Sequence, residues 1–333
     1  MSYALWRKKY SQFTVHSSRL PVHSSLLTLM LKLIARKLIQ GLMMILIVSA
    51  VTFVLLSFAG GDAVTALRDN PQISEASIEN LRRVYGLDKP LPVRYFTWLR
   101  GAVVGEMGES MYFRVPVSSI VASRFMSTFF LGIAALAIAI VVAFGLGIAA
   151  ARYRSKTLSR LIEFIVFFTA STPRIVLALV ALAVAAQLTA SNINAANVVG
   201  FWLAALALAA PLISIVLAQF HDGLSRTMGE DFIQLARAKG LSESVVVIRH
   251  AIRGALNPVL TVVGLSLGGV LGGSVIVESV LGRQGLGALM VSAVRGRDLP
   301  LVMGIVLVTS TAVWLGNTLA EVLQAVNDKR MLA

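Results

Sequence analysis

From Thr128 to Ala150 the chain reads Thr-Phe-Phe-Leu-Gly-Ile-Ala-Ala-Leu-Ala-Ile-Ala-Ile-Val-Val-Ala-Phe-Gly-Leu-Gly-Ile-Ala-Ala, without one charged side chain. A helix of roughly 20 apolar residues crosses the hydrocarbon core of a bilayer. The run is continuous and does not alternate apolar with polar, so it reads as a helix and not as a barrel strand. Five further stretches have the same character: Gln40 to Gly60, Leu161 to Leu188, Val198 to Phe220, Val259 to Leu281 and Leu299 to Leu323. The predicted fold is therefore all-α, a polytopic membrane protein of six transmembrane helices.

Composition agrees. Hydrophobic residues make up 57% of the chain and charged residues 14%, against about a quarter charged in soluble domains. The net charge of +14 follows membrane topology and forms no single nucleic-acid-binding patch. Arg7, Lys8, Lys9, Arg19, Lys32, Arg36 and Lys37 precede the first span, and Arg152, Arg154, Lys156 and Arg160 follow the second. Both segments belong inside by the positive-inside rule. The loop from Thr189 to Asn197 is uncharged and reads as outer, whereas His221 to Asn257 carries Arg226, Arg237, Lys239, Arg249 and Arg253 and reads as inner. Both termini are then cytoplasmic. One loop is discordant: Arg283, Arg295 and Arg297 stand against Asp298 on the outer side.

The expected layout is a cytoplasmic extension over residues 1–37, a first helix over 38–60, an extracytoplasmic segment over 61–123, a core of five helices over 124–325 containing an inner loop over 221–258, and a cytoplasmic tail over 326–333. Residues 1–37 are too long and polar for the n-region of a secretory signal. In the outer segment, Pro71 to Tyr85 reads as a helix with Ser74 and Ser77 as caps and Gly86 as its stop, and Lys89-Pro-Leu-Pro-Val restarts the chain.

Candidates for chemistry are few. There is no cysteine, which excludes disulfides and thiolate catalysis. Gly264-Leu-Ser-Leu-Gly268 matches the hydrolase nucleophile elbow in letters only, because a membrane helix lacks the strand-to-helix turn and no span holds a histidine. With Gly269, Gly272 and Gly273, these glycines read as a helix-packing face. No Gly-x-x-x-x-Gly-Lys-Ser/Thr loop is present, so ATP chemistry would fall to a partner. Within the spans lie Glu163, Arg174 and Glu278. Arg174, beside Pro173, must face protein or water. It either holds a solute carboxylate or pairs with Glu163 or a partner subunit. Glu278 is a candidate for the solute path or for a structural hydrogen bond.

The inner loop Gly229 to Pro258 reads as two amphipathic helices around Gly240. Phe232, Leu235, Ala236 and Lys239 share i, i+3, i+4, i+7 spacing, Gly240 suits the left-handed residue past a helix end, and Ser242-Glu243 starts the next helix. A short crosswise helix at a tight turn is a shape that fits a groove of a soluble partner.

The wording Ala236-Arg-Ala-Lys-Gly-Leu, then Arg249-His-Ala-Ile-Arg-Gly-Ala-Leu-Asn-Pro, resembles the EAA loop of ABC importer permeases, in the dipeptide/oligopeptide branch. The resemblance extends from about Leu31 onward. Tyr85-Gly-Leu-Asp-Lys-Pro-Leu-Pro-Val-Arg-Tyr, Gly105-Glu-Met-Gly-Glu-Ser, Val277-Glu-Ser-Val-Leu and Gly285-Leu-Gly carry it further. Departures are Gln234-Leu-Ala in place of Glu-Ala-Ala, Arg283-Gln in place of Trp-Pro, and Asp328-Lys-Arg in place of Asp-Pro-Arg. The resemblance implies a type I importer permease that binds no cofactor. Its partners would be a second permease subunit in a heterodimer, two ATPases that carry ATP, an extracytoplasmic solute-binding protein and membrane lipid, in a bacterial inner membrane. It places Asp231, Ala236, Arg237, Lys239, Gly240, Leu241, Arg249 and His250 in the ATPase-coupling loop, with Ala236 and Gly240 packed into the ATPase cleft. Dipeptides or oligopeptides are the implied cargo. A nickel chelate, glutathione or a sugar on the same machinery, or ATP-independent secondary transport, are the alternatives.

Overall fold

The computed structural model describes residues 22–58, 74–84, 86–189 and 196–327, and these are almost wholly helical. Contacts divide the chain at Leu42, inside the first helix, and the bundle is built from residues Met43 onward. The helices are α1 (Val22–Phe58), α2 (Glu75–Val84), α3 (Leu91–Val103), α4 (Val117–Tyr153), α5 (Lys156–Ser171), α6 (Arg174–Thr189), α7 (Ala196–Met228), α8 (Asp231–Ala238), α9 (Glu243–Val245), α10 (Ile252–Val280), α11 (Leu286–Arg295) and α12 (Leu299–Asn327), with a π-helical segment Val246–Ala251 between α9 and α10.

Among the described residues five helices are long and apolar enough to cross a membrane, or six if the bent pair α5 and α6 forms one span. The continuous third span expected over Leu161 to Leu188 is instead two helices meeting at 96°. The cause is local. Proline forces the residue before it into extended backbone, and Thr172 sits at φ −84, ψ 120. Its hydroxyl returns a hydrogen bond to the Phe168 carbonyl at 2.7 Å, and Pro173 O accepts from Val176 N at 3.0 Å to start the next helix.

The helices also extend past the apolar runs. Helix α4 begins at Val117, in the segment assigned outside the membrane, and its 37 residues reach about 55 Å, well beyond a core of roughly 30 Å. Helix α7 runs to Met228, so residues 221–228 of the expected inner loop are a helical extension of the fourth span. Hydropathy marks where lipid ends, and a helix continues past that point wherever its backbone stays paired. In the outer segment α2 forms as expected, with Ser74 Oγ accepting from Ser77 N at 3.2 Å. Gly86 at φ +62 closes it, since Gly86 N reaches Arg83 O at 3.1 Å and Leu87 N reaches Arg82 O at 2.8 Å.

Helix α7 is central, packing against α4, α5, α6 and α10. The core falls into three clusters. A middle one is mostly alanine, including Ala135, Ala139, Ala178, Ala181, Ala204 and Ala205, as membrane helices require when close backbone approach replaces the hydrophobic effect. A second gathers Ile162, Phe220, Leu224, Ile233, Ala236, Val246 and Ala251 at one end. The third gathers Val117, Leu286, Leu289, Ala293 and Leu301 at the other. The glycine face of α10 is only partly a packing face. A methyl on Gly264 would strike Ala320 and one on Gly268 would touch Val313, while a methyl on Gly269 or Gly272 would meet nothing within 4 Å, and both glycines border cavities.

Candidate functional site

The segment after α7 builds a compact turn. Helix α8 starts with Asp231 in its first turn, where a carboxylate suits the positive end of the helix. It stops in a Schellman motif: Gly240 N donates to Arg237 O at 2.9 Å and Leu241 N to Ala236 O at 3.4 Å, with Gly240 at φ +77. Ser242 is extended at φ −64, ψ 148 and leads into α9. Across the turn Arg237 Nε donates to Glu243 Oε1 at 2.8 Å and Nη2 to Oε2 at 3.4 Å. The turn is thus closed by backbone and fastened by one ion pair.

The two faces of α8 differ in burial. Ala236 is 6% exposed and Ile233 fully buried, both in the cluster shared with Ile162, Phe220 and Val246. Ala236 therefore packs inward against this chain. The outward face is Phe232 at 49%, Leu235 at 57% and Leu241 at 39% exposure. Spacing alone could not choose, because Phe232/Leu235 and Ile233/Ala236 have the same period one residue apart. Arg237 is spent on Glu243, Lys239 and Arg249 are exposed, and His250 is half-buried. The π-helical segment follows at once, with Val246 and Val247 buried and Ile248 exposed.

Arg174 opens α6 at the bend. Its Nη1 donates to Gly269 O at 3.4 Å, and a methyl on Gly273 would stand 2.6 Å from it, so the guanidinium lies on the glycine face of α10. It borders a cavity of about 250 Å³ with Pro211, Leu212, Ile215, Val262, Leu265 and Ser266. Glu163 is not its partner, since that carboxylate lines a different cavity beside Arg160 and His221.

Glu278 is elsewhere. It is 1% exposed, and its carboxylate accepts from Thr128 Oγ1 at 2.6 Å, Gly287 N at 2.8 Å and Ala288 N at 3.1 Å. Thr128 Oγ1 in turn accepts from Leu286 N at 2.8 Å. Three free N–H groups at the start of α11 are thereby satisfied. Glycine at 287 is needed because a Cβ there would meet the Val275 backbone at 2.5 Å. Glu278 thus holds the start of α11 in place, and its partners Thr128 and Gly287 border a cavity of about 320 Å³.

A second clamp at the same end escaped sequence reading. Asp298, fully buried, accepts from Ser110 Oγ at 2.6 Å, Tyr112 N at 3.0 Å and Leu301 N at 3.1 Å. It caps α12 and pins the Gly-Glu-Ser stretch of the outer segment to it. An aspartate three residues before Leu301 is a legible cap signal; its reach to Ser110 is not legible.

Among the described residues no group of three His, Cys, Asp or Glu side chains could hold a metal ion.

Comparison with known families matches residues 143–333 to the binding-protein-dependent transport system inner membrane component, and residues 30–132 to the N-terminal model of the same kind. The chain belongs to this family. It is a multi-pass inner-membrane permease of an ABC importer. Among its relatives is a protein of Brucella suis biovar 1 (strain 1330) named as a peptide permease, 34% identical over 316 residues, covering 91% of this chain and 99% of the relative. A Brucella ovis peptide permease protein is likewise 34% identical over 316 residues. The glutathione transport system permease protein of Escherichia coli (strain K12) is 32% identical over 302 residues, covering 89% of this chain and 97% of the relative.

Proposed function

We propose that this permease forms half of the translocation path of a peptide importer and takes its drive from ATPases seated on the α8 turn. The observation that carries this is the outward triad Phe232, Leu235 and Leu241 on a turn whose inner face is welded to the bundle. Exposed apolar side chains beside a charged rim form the kind of patch that a protein partner covers. Ile233 and Ala236 share one buried cluster with residues of α4, α5, α7, the π-helical segment and α10. A push on the turn therefore moves the inner ends of the spans together, which is the lever an alternating-access change requires.

On this reading the turn and both termini face the cytoplasm. The last helix fits, because Asn327 at its end donates to Asn257 near the start of α10. A second, distinct permease completes the path, and an extracytoplasmic binding protein delivers the solute at the end held by Glu278 and Asp298. Peptide cargo is supported by the names of the Brucella relatives. Glutathione, itself a small peptide with free carboxylates, has the support of the Escherichia coli relative. Arg174 at the mid-span bend is the group we assign to a cargo carboxylate, by charge-assisted hydrogen bonds.

The test is co-purification of the ATPases with the permease pair. Leu235→Asp should lose them while the permease inserts and melts as before. Retention of the ATPases at wild-type stoichiometry in Leu235→Asp and in Phe232→Asp would remove the triad from the interface.

A further inference from the structure

At the same end as the coupling turn lies a cavity of about 510 Å³ between the end of α4, the start of α5 and the end of α7. Its charged lining is Arg154, Lys156 and Arg160 against one carboxylate, Glu163, with His221 opposite and Ser159 and Ser225 between. Arg154 takes the left-handed conformation at φ 49 between α4 and α5, and the cavity contains the N-terminus of the 16-residue α5, capped by Ser155. Cations kept on one side by topology alone have no need to share a concave surface. Here three of them do.

A second feature adjoins it. Directly after Arg160, α5 presents Leu161 at 44%, Phe164 at 63% and Phe168 at 55% exposure, with Phe164 and Phe168 stacked at 6.1 Å between ring centroids. The cationic cavity thus continues along the span into an open apolar stripe. A soluble phosphate would use the first and have no use for the second.

We propose that this cavity binds the phosphate headgroup of an anionic phospholipid of the inner leaflet, with an acyl chain laid along Leu161, Phe164 and Phe168. Basic recesses between spans on the cytoplasmic side have the chemistry for such headgroups. Because Ile162 of α5 lies in the cluster that carries Ile233 and Ala236, the bound lipid would sit beside the lever without touching the cargo path. The assignment rests on the cytoplasmic placement of the α8 turn and is independent of the cargo.

The test uses the assembled transporter in phosphatidylcholine nanodiscs, titrated with fluorescent phosphatidylglycerol. Each cation near an anionic headgroup is worth enough that losing two, in Lys156→Gln/Arg160→Gln, should weaken binding roughly thirtyfold. Phosphatidylcholine exchange should be unchanged. Ser159→Phe fills the cavity and leaves the charges that set topology, and should weaken binding as well. Equal phosphatidylglycerol affinity in wild type and both variants would overturn the proposal. So would inorganic phosphate binding as tightly as the lipid, which would make the ligand a soluble anion. Loss of the ATPases with lipid affinity intact would also overturn it, marking the cavity as a protein interface.

Discussion

The two ends of the bundle treat their polar groups in opposite ways. At the end bearing α11, Glu278 and Asp298 are almost without solvent exposure and each accepts three hydrogen bonds from this same chain. At the end bearing α8, Phe232, Leu235 and Leu241 stand exposed and the cations of the lipid cavity face outward. At one end the buried carboxylates are satisfied within the chain, and at the other the apolar and cationic side chains of the turn and cavity stand open. On the proposed function this division places rigidity around α11 and leaves adhesive surface where force would enter.

This contrast predicts that substitutions at the closed end cost stability, and substitutions at the open end cost assembly. The largest effect should come from Glu278→Ala, which strands Gly287 N, Ala288 N and Thr128 Oγ1 in a buried site. Removing a buried, multiply bonded carboxylate costs about 3–5 kcal/mol, so the purified permease should melt many degrees lower or fail to accumulate. Glu278→Gln keeps one acceptor oxygen and should fall between. A wild-type melting curve for Glu278→Ala would mean that α11 is held by packing alone. Asp298→Ala is next, at about 2–3 kcal/mol, through loss of the α12 cap and of the bond to Ser110. Proteolysis between α3 and α4 should rise with it. Absence of that rise would break the link between Ser110 and the last span.

Much of this division can be read in the sequence, and the boundary of what can be read is physical. Hydropathy located the spans because lipid demands apolar side chains over a fixed length, and Gly240 announced the turn because its position after a helical run calls for a left-handed residue. Periodicity could not fix which side of α8 faces out: it grouped Ala236 with Phe232 and Leu235, whereas Ile233 and Ala236 form the buried pair. Only the packing of Ile162 and Phe220 decides that. The bend at Pro173 is visible as a conflict in the sequence, a proline and an arginine in apolar surroundings, yet neither its 96° angle nor the contact of Arg174 with the glycine face of α10 is written in the local pattern. The clamps were least legible. The Ser110–Asp298 bond joins residues 188 positions apart, and no local pattern records such a pairing.

At the open end the expected stability effects shrink. Gly240→Ala forces a side chain into the left-handed region at a cost of about 1–2 kcal/mol, with no steric clash, since nothing lies within 4 Å of the added methyl. Melting should shift modestly, and ATPase retention should fall further than that shift explains if the turn must keep its shape to be gripped. A fall in melting with full retention would make the glycine a folding residue only.

The smallest effect is expected at Arg237. Its pair with Glu243 is partly exposed, at 24% and 36% for the two side chains, and such pairs contribute about 0.2–1 kcal/mol. Arg237→Gln should leave the melting temperature almost unchanged in low salt, and salt should erase the remaining difference. The informative quantity is coupling. If the pair fastens α8 to the helix that becomes α10, then in Arg237→Gln the ATPases should still bind, but transport per ATP hydrolysed should fall, because the turn yields before it transmits the push to the spans. The reversed pair, Arg237→Glu with Glu243→Arg, keeps the fastening and should restore the ratio. Failure of the reversed pair to restore it, with ATPases bound throughout, would move Arg237 from the inside of the lever to its outer surface, where its partner is the ATPase. The open end would then begin one residue closer to the turn than the ion pair places it.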